Sequence, residues 1–186
     1  MKRFLAKDRL LKLVSEEEPL NLIATFKREA LHLEMRDVYA VKDEAQRFAR
    51  FLEKGHRDHN AEAEERRPWM TIIQDATAAG KMFRRARIIS EPATDYIRYE
   101  WEGTGSNVEA GEKIKWLPRR LASTIALPGN DFWLFDESTV VFTIFTGEGD
   151  VCERQLTTDA VVVQLCKSAF EAVWSIAIPH GEYKPS

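Results

Sequence analysis

The residues of this chain best suited to chemistry are charged side chains that alternate with aromatic segments between residues 84 and 136. Arg85 and Arg87 would project from one face of a strand, and guanidinium groups bind carboxylates and phosphates through paired hydrogen bonds. Two carboxylates, Asp131 and Asp136, flank an aromatic segment. The even interleaving of acids and bases favours internal pairing that holds the loops in place. The other interpretation is an anion-binding cleft with these candidate ligand-binding residues: Arg85, Arg87, Glu91, Arg98, Glu112, Arg119, Asp131 and Asp136.

Other kinds of site are not indicated. The sequence contains no G-x-x-x-x-G-K-[ST] and no G-x-G-x-x-G that opens a helix, so phosphate loops are excluded. The paired histidines His56 and His59 lack a nearby third ligand, so no metal is expected. Neither Cys152 nor Cys166 has a histidine neighbour, and we nominate no catalytic residue and no cofactor.

Composition predicts a folded cytoplasmic protein. The chain has 186 residues, 44% of them hydrophobic, which is sufficient for one domain with a core. No apolar run approaches the roughly 20 residues that span a bilayer, and charges interrupt the first eight residues, so neither a membrane segment nor a secretory leader is expected. Residues 81–120 carry a net charge of +3 and residues 121–186 a net charge of −6, which is not a nucleic-acid-binding signature.

Hydrophobic periodicity predicts an α/β domain, with α+β as the alternative. We expect a mixed central sheet of about five or six strands flanked by helices. The predicted strands are 32–41, 83–90, 114–117, 132–135, 140–145 and 151–156. The predicted helices are 2–15, 19–31, 43–55, 68–80, 94–101 and 158–176, with a polar linker at 56–67 and a loop at 103–111. For 94–101 a strand is the alternative, because Ile97, Tyr99 and Trp101 also alternate. This gives an N-terminal helical extension at 1–18, a single domain at 19–178 and a tail at 179–186.

Several segments together carry a family resemblance. They are residues 33–39, 85–92, 95–98, 110–119 and 131–136. As a set they resemble a DUF6879-like actinobacterial family of unknown function, encoded beside Xre-type helix-turn-helix regulators and small acidic proteins. The similarity runs from about residue 26 to residue 178. It implies a partner of one of these two kinds, and it attaches no catalytic role to any residue.

A more distant similarity is to phospholipase-D-like domains. Their catalytic members need an H-x-K motif, and no histidine here is followed two residues later by lysine; His32, for example, precedes Leu33 and Glu34. The resemblance therefore implies a non-catalytic accessory protein that works with a helix-turn-helix regulator. The arginine-rich segment predicts that it senses an anionic small molecule, and the charge distribution predicts that it does not bind DNA itself.

The alternative is an enzyme acting on a phosphate-bearing substrate, as a phosphodiesterase or nuclease would. In that interpretation Arg87 and Arg98 act as electrostatic clamps, and Glu91 or Asp136 acts as acid or base.

Overall fold

A computed structural model describes residues 10–186, which form one domain with five α-helices and eight strands in this part of the chain. The strands are β1 (Lys12–Val14), β2 (Glu29–Glu34), β3 (Met82–Ile89), β4 (Lys113–Pro118), β5 (Asp131–Phe135), β6 (Thr139–Phe145), β7 (Val151–Thr157) and β8 (Ile178–Pro179). The helices are α1 (Glu18–Thr25), α2 (Ala45–Lys54), α3 (His59–Ala78), α4 (Asp95–Glu109) and α5 (Ala160–Ile176). Within these residues no helix is long and apolar enough to cross a membrane.

All eight strands form one sheet in the order β1-β7-β6-β5-β2-β3-β4-β8. β3 lies between β2 and β4 and is parallel to both, whereas every other pair is antiparallel. The predicted class, a single domain with a mixed sheet, is confirmed. The predicted number of strands is too low because the two edge strands, β1 and β8, have three and two residues and show no readable alternation.

The sheet is covered on both faces. Helix α5 packs on one face, where its residues Cys166 and Phe170 contact a core that includes Leu33 and Phe132. Helices α1, α3 and α4 pack on the other face, around Phe83 and Trp116. Side chains alternate along a strand, so His32 and Glu34 of β2 and Arg85 and Arg87 of β3 all belong to this second face. Ionisable groups of the two central parallel strands therefore meet on the second face, whereas Arg84 of β3 pairs with Glu171 of α5 on the first.

Four predicted element boundaries are wrong. The helix predicted at 19–31 ends at Thr25, and residues 29–31 already belong to β2. The proposed linker at 56–67 is mostly the first half of α3, which holds Pro68 in its interior. The proposed loop at 103–111 is mostly the second half of α4. The strand expected over 32–41 ends at Glu34, and the backbone N–H of Met35 instead donates to Asp131 Oδ1 at 2.9 Å.

The ends of the chain also differ from the prediction. Most of the helix predicted at 2–15 lies outside the described residues, but Lys12–Val14 is a strand paired with β7. The region predicted as a tail packs on the domain: Tyr183 is buried against Trp116, and the carbonyl of Ser186 accepts from the Ala93 N–H at 2.9 Å.

Candidate functional site

The centre of the second face is a buried network of ions on neighbouring strands. Parallel pairing of β2 with β3 places Glu34 beside Arg87 and His32 beside Arg85. Glu34 lies between the two guanidinium groups, 2.6 Å from Nη1 of Arg85 and 2.8 Å from Nε of Arg87. The carboxylate of Glu34 on β2 therefore binds both arginines of the neighbouring strand β3.

Two further carboxylates complete the network from the direction of α4. Arg85 Nε donates to Glu112 Oε1 at 2.7 Å, and Arg87 Nη1 lies 2.5 Å from Glu100 Oε2. The second oxygen of Glu112 accepts from the amide of Asn107 at 2.7 Å. Two cations thus face three carboxylates, and each guanidinium has two of its nitrogen atoms within ion-pair distance of them. The internal pairing considered above describes this part of the site.

A cavity of about 530 Å³ lies over the network and is named the cleft here. Ligand pockets in proteins usually have volumes of about 300–1,000 Å³. Aromatic rings line a large part of it: Tyr39, Trp69, Tyr96, Trp133 and Phe145. Its carboxyl groups come from Glu16, Glu34, Glu44, Glu100 and Asp131, and its cations from Arg85, Arg87 and Arg154. The cleft can stack a planar group and accept hydrogen bonds from it.

Asp131 is the most strongly perturbed carboxyl group in the wall of the cleft. Burial raises its pKa to about 6, against opposing hydrogen bonds from the Tyr39 hydroxyl and the Met35 N–H. The Tyr39 hydroxyl donates to Asp131 Oδ2 at 2.5 Å, and burial raises the pKa of Tyr39 well above its usual value. Asp131 can therefore take up or release a proton near neutral pH while Tyr39 stays protonated.

His32 is a neutral group in the cleft. Its ring stacks on Trp133 with 4.0 Å between ring centroids, and Nδ1 lies 3.2 Å from Glu34 Oε1. Burial, followed by the charges of Arg85 and Arg87, lowers the pKa of His32 well below its usual value. Among the described residues, no group of three or more His, Cys, Asp or Glu side chains has the geometry to hold a metal ion.

The structure brings together four of the eight predicted ligand-binding residues. Arg85 and Arg87 form the floor of the cleft, Asp131 lies in its wall, and Glu112 supports Arg85 from behind. The other four lie elsewhere, so the prediction of one cleft containing all eight requires correction. Asp131 and Asp136 cannot share a site because they lie at opposite ends of β5, roughly 17 Å apart for five residues of extended chain.

The remaining four have identifiable surroundings. Asp136 accepts from the backbone N–H groups of Lys27 at 2.8 Å and Arg28 at 2.7 Å, and so fixes the start of β2. Arg119 binds Asp37 and the Met35 carbonyl beyond the ends of the parallel strands. Glu91 pairs with Arg120 and accepts from the Tyr183 hydroxyl, whereas Arg98 is exposed on α4.

Sequence reasoning missed Glu34, His32, Tyr39 and Trp69 as members of the site. Alternation along β2 puts His32 and Glu34 on one face, which was visible in the sequence. The register of β2 against β3, which places them beside the arginines, was not visible. Trp69 was assigned to the apolar stripe of a helix, and it lines the cleft as well.

Comparison with known proteins gives the family. The sequence profile of a family described as "Domain of unknown function (DUF6879)" matches residues 17–185. The chain belongs to this family. No curated protein matches its sequence.

Solved structures of similar fold exist for this DUF6879 protein. One is Nuc from Salmonella typhimurium, a phospholipase D family member, with a TM-score of 0.51 and 11% identity over 91% of this chain and 96% of that one. Another is NucT from Helicobacter pylori, with a TM-score of 0.50 and the same identity and coverage, 11%, 91% and 96%. The expected likeness to phospholipase-D-like domains is confirmed at the level of fold.

Proposed function

We propose that this DUF6879 protein is a non-catalytic sensor that binds a small ligand in the cleft and acts with a helix-turn-helix transcription regulator. The observation that supports it is an open cavity of about 530 Å³ over a floor of internally paired ions. The H-x-K motif of catalytic phospholipase-D-like proteins is absent from the sequence. The partnership with a regulator rests on the family resemblance.

The lining of the cleft supports a ligand with a planar ring that carries N–H donors. Arg85 and Arg87 are held by Glu34, Glu100 and Glu112. The wall offers acceptors, and a ring placed among its aromatic side chains would gain roughly 0.5–1.5 kcal/mol per aromatic pair beyond the area that it buries.

Ligand-induced stabilisation tests the sensor. We expect thermal unfolding against a panel of ring-containing metabolites to identify a ligand, and we expect Trp69→Leu to bind it about tenfold more weakly, as a loss of about 1.4 kcal/mol implies. Trp174→Leu is the matched control, since Trp174 is also partly buried but packs on the opposite face with α5. An equal loss of ligand affinity in both variants, or a panel in which no compound binds, would contradict the proposal.

The regulator is tested separately. Affinity purification of the tagged protein from its native host should recover a helix-turn-helix regulator. Recovery of no such protein would contradict this half of the proposal and leave the ligand result unaffected.

A second candidate is an enzyme acting on a phosphodiester, and Asp131 favours it. A carboxyl group of pKa about 6 in an open cavity has the properties of a general acid or base. The earlier assignment of Glu91 or Asp136 as acid or base is not supported, because both lie outside the cleft. We expect bis-p-nitrophenyl phosphate to be hydrolysed no faster by the wild type than by Asp131→Asn. Turnover that disappears in this variant would favour the enzyme.

A further inference from the structure

A second, smaller cavity of about 180 Å³ adjoins the cleft and is called the inner chamber here. The two cavities share five lining residues: Glu44, Trp69, Arg85, Arg87 and Glu100. Helices α2, α3 and α4 enclose the chamber above β3. Five of its twelve lining residues are arginines: Arg47, Arg57, Arg66, Arg85 and Arg87. It is the more cationic of the two cavities.

Four of these arginines are paired with carboxylates. Arg47 donates to Glu65 at 2.9 Å, and Arg57 is paired with the buried Glu62. Arg85 and Arg87 belong to the network around Glu34. The three carboxylates of the chamber wall, Glu44, Glu65 and Glu100, are likewise bound to Tyr96, Arg47 and Arg87. Each of these charged groups therefore has a hydrogen-bond or ion-pair partner inside the protein.

Arg66 differs from the other four. Its Nη1 donates to the Gly103 carbonyl at 2.8 Å, and its Nη2 donates to Asn107 Oδ1 at 2.5 Å. Both acceptors are neutral, and among the side chains that the structure describes, those of residues 10–42 and 44–186, no carboxylate lies within 4.0 Å of this guanidinium. A guanidinium has five N–H donors, so Arg66 keeps donors beyond these two bonds.

The environment of Arg66 disfavours an isolated positive charge. Burial, followed by repulsion from Arg57, lowers the pKa of Arg66 from its usual value. Attraction by Glu100 and Glu62, which form no ion pair with Arg66, opposes this shift. A partly buried cation with no directly paired counter-charge is costly in free energy, and an anion in the adjoining space would lower that cost. The position of Arg66 is fixed by two hydrogen bonds before any ligand arrives, which lowers the entropic cost of binding.

We propose that the inner chamber binds a compact oxyanion, a phosphoryl, sulfonyl or carboxylate group, through Arg66. Phosphoryl and sulfonyl groups fit best because their several oxygens can accept from more than one N–H of a planar guanidinium. Since the chamber opens on the residues that it shares with the cleft, the ligand of the cleft would carry such a group at one end. This last statement rests on the proposed function, whereas the anion site itself does not.

Inorganic phosphate is the direct probe. Thermal unfolding of the full chain is measured in potassium phosphate, sulfate, acetate and chloride at equal ionic strength. We expect phosphate and sulfate to raise the melting temperature with saturation, and chloride to produce no saturable effect. Acetate as the strongest of the four would assign a carboxylate-bearing ligand within the same proposal, and equal responses to all four salts would overturn it.

Arg66→Gln is expected to weaken phosphate binding by roughly 10- to 100-fold, as the loss of a charge-assisted contact implies. Arg67→Gln is the matched control, because Arg67 is the adjacent, exposed residue of α3, paired with Glu64 and outside the chamber. Arg66→Lys retains the charge and should bind phosphate with intermediate affinity, which keeps the test decisive if Arg66→Gln folds poorly. An equal phosphate response in all three variants would contradict the site.

The two proposals fail in different ways. Phosphate binding that depends on Arg66 supports the anion site even if no ring-containing ligand is found. A ligand that depends on Trp69 but binds Arg66→Gln as tightly as it binds the wild type would contradict the joined ligand.

Discussion

Glu34 is the residue on which the floor of the cleft depends. Its carboxylate contacts both Arg85 and Arg87 and lies beside His32, and the residue is only 8% exposed. Buried ion pairs contribute little net stability when formed, but removing one partner leaves the other charge buried and unpaired. Loss of Glu34 should therefore cost more than loss of any surface carboxylate.

We expect Glu34→Gln to lower the free energy of unfolding by about 3 kcal/mol. The value is at the low end for a broken buried pair, because Glu112 and Glu100 still hold the two arginines. Urea unfolding measures it. Glu64→Gln on the exposed surface of α3 is the control and should unfold at the wild-type urea concentration. Similar losses in both variants would mean that the network is not buried in solution.

The raised pKa of Asp131 predicts that this residue's contribution to the stability of the fold decreases as the pH rises. Its folded pKa of about 6 lies above its usual value of 3.8, so the folded state binds the proton more tightly. The associated stability is fully present below pH 4 and is lost as the pH rises through 6, by about 3 kcal/mol in total. Carboxyl groups with lowered pKa, such as Asp136, act in the opposite direction.

The informative quantity is therefore the change of unfolding free energy with pH, rather than its value at one pH. Between pH 4 and pH 7 the stability of Asp131→Asn relative to the wild type should increase with pH, since the amide cannot ionise. The amide can still accept from the Met35 N–H and donate to the Tyr39 hydroxyl, so the variant should fold. Urea unfolding at four pH values gives the difference. A constant difference would place the Asp131 pKa near its usual value.

At the scale of elements, α4 shows how a close contact overrides helix propensity. The helix contains Gly103 and Gly105, two residues that destabilise helices by up to about 1 kcal/mol each relative to alanine. A Cβ atom at position 103 would collide with the guanidinium of Arg57, whereas at position 105 it would meet nothing within 4 Å. Gly103 thus allows Arg57 to reach Glu62 and the Tyr99 carbonyl.

The two glycines form a matched pair. We expect Gly103→Ala to lose about 1–3 kcal/mol of unfolding free energy, because Arg57 must leave a buried hydrogen bond. Gly105→Ala should gain up to about 1 kcal/mol from propensity alone. Thermal and urea unfolding measure both. A gain in unfolding free energy in both variants would show that Arg57 is easily displaced.

The turn between β5 and β6 carries local strain. Asp136 and Glu137 both have positive φ angles, 50° and 55°, in the left-handed region that side chains rarely adopt. Asp136 is held there by its bonds to the backbone of residues 27–29. Glu137 forms a partly exposed ion pair with Lys167 at 2.6 Å.

We expect Glu137→Gly to stabilise the fold by about 0.5–1 kcal/mol, because relief of a left-handed conformation exceeds the loss of a surface ion pair. Glu137→Gln removes the pair and keeps the strain, and should be neutral or slightly destabilising. The difference between the two variants in urea unfolding isolates the backbone contribution. Equal unfolding free energies for the two variants would contradict backbone strain at Glu137.

At the scale of the whole molecule, the two cysteines report on cooperativity. Cys152 is exposed on β7, whereas Cys166 is buried in the core between α5 and the sheet. Burial raises the pKa of Cys166 to about 12, so its reactive thiolate is scarce in the folded state. The elements on both faces pack on one sheet and are expected to unfold together. Cys166 should therefore become accessible to a reagent only when the whole domain unfolds.

We expect one thiol to react quickly with a thiol reagent in the native protein and the second to react slowly. In Cys152→Ser, the labelling rate of Cys166 as a function of urea should give the same unfolding free energy as a spectroscopic signal. A smaller value from labelling would show that α5 detaches before the sheet unfolds.

Local patterns in the sequence determined the class of this protein and one part of its site. The alternation of 83–90 placed Arg85 and Arg87 on one face, and that of β2 did the same for His32 and Glu34, because side-chain direction in a strand depends only on neighbouring residues. The stripe of the last helix, including Cys166 and Val173, marked a buried surface for the same reason.

Tertiary structure alone decided which charges meet. Glu34 and Arg87 are more than fifty positions apart in the chain and become partners through the register of β2 against β3, which no local pattern encodes. Packing also makes the glycine-containing part of α4 helical against its propensity. The polar first half of α3, by contrast, is rich in alanine, glutamate and arginine, which favour helices, and Asp58 caps its start. Arg66 was read as part of an exposed linker, and it lines a cavity because α3 and α4 cross over the sheet at that point. Periodicity shows the direction of a side chain, and only packing shows what lies in front of it.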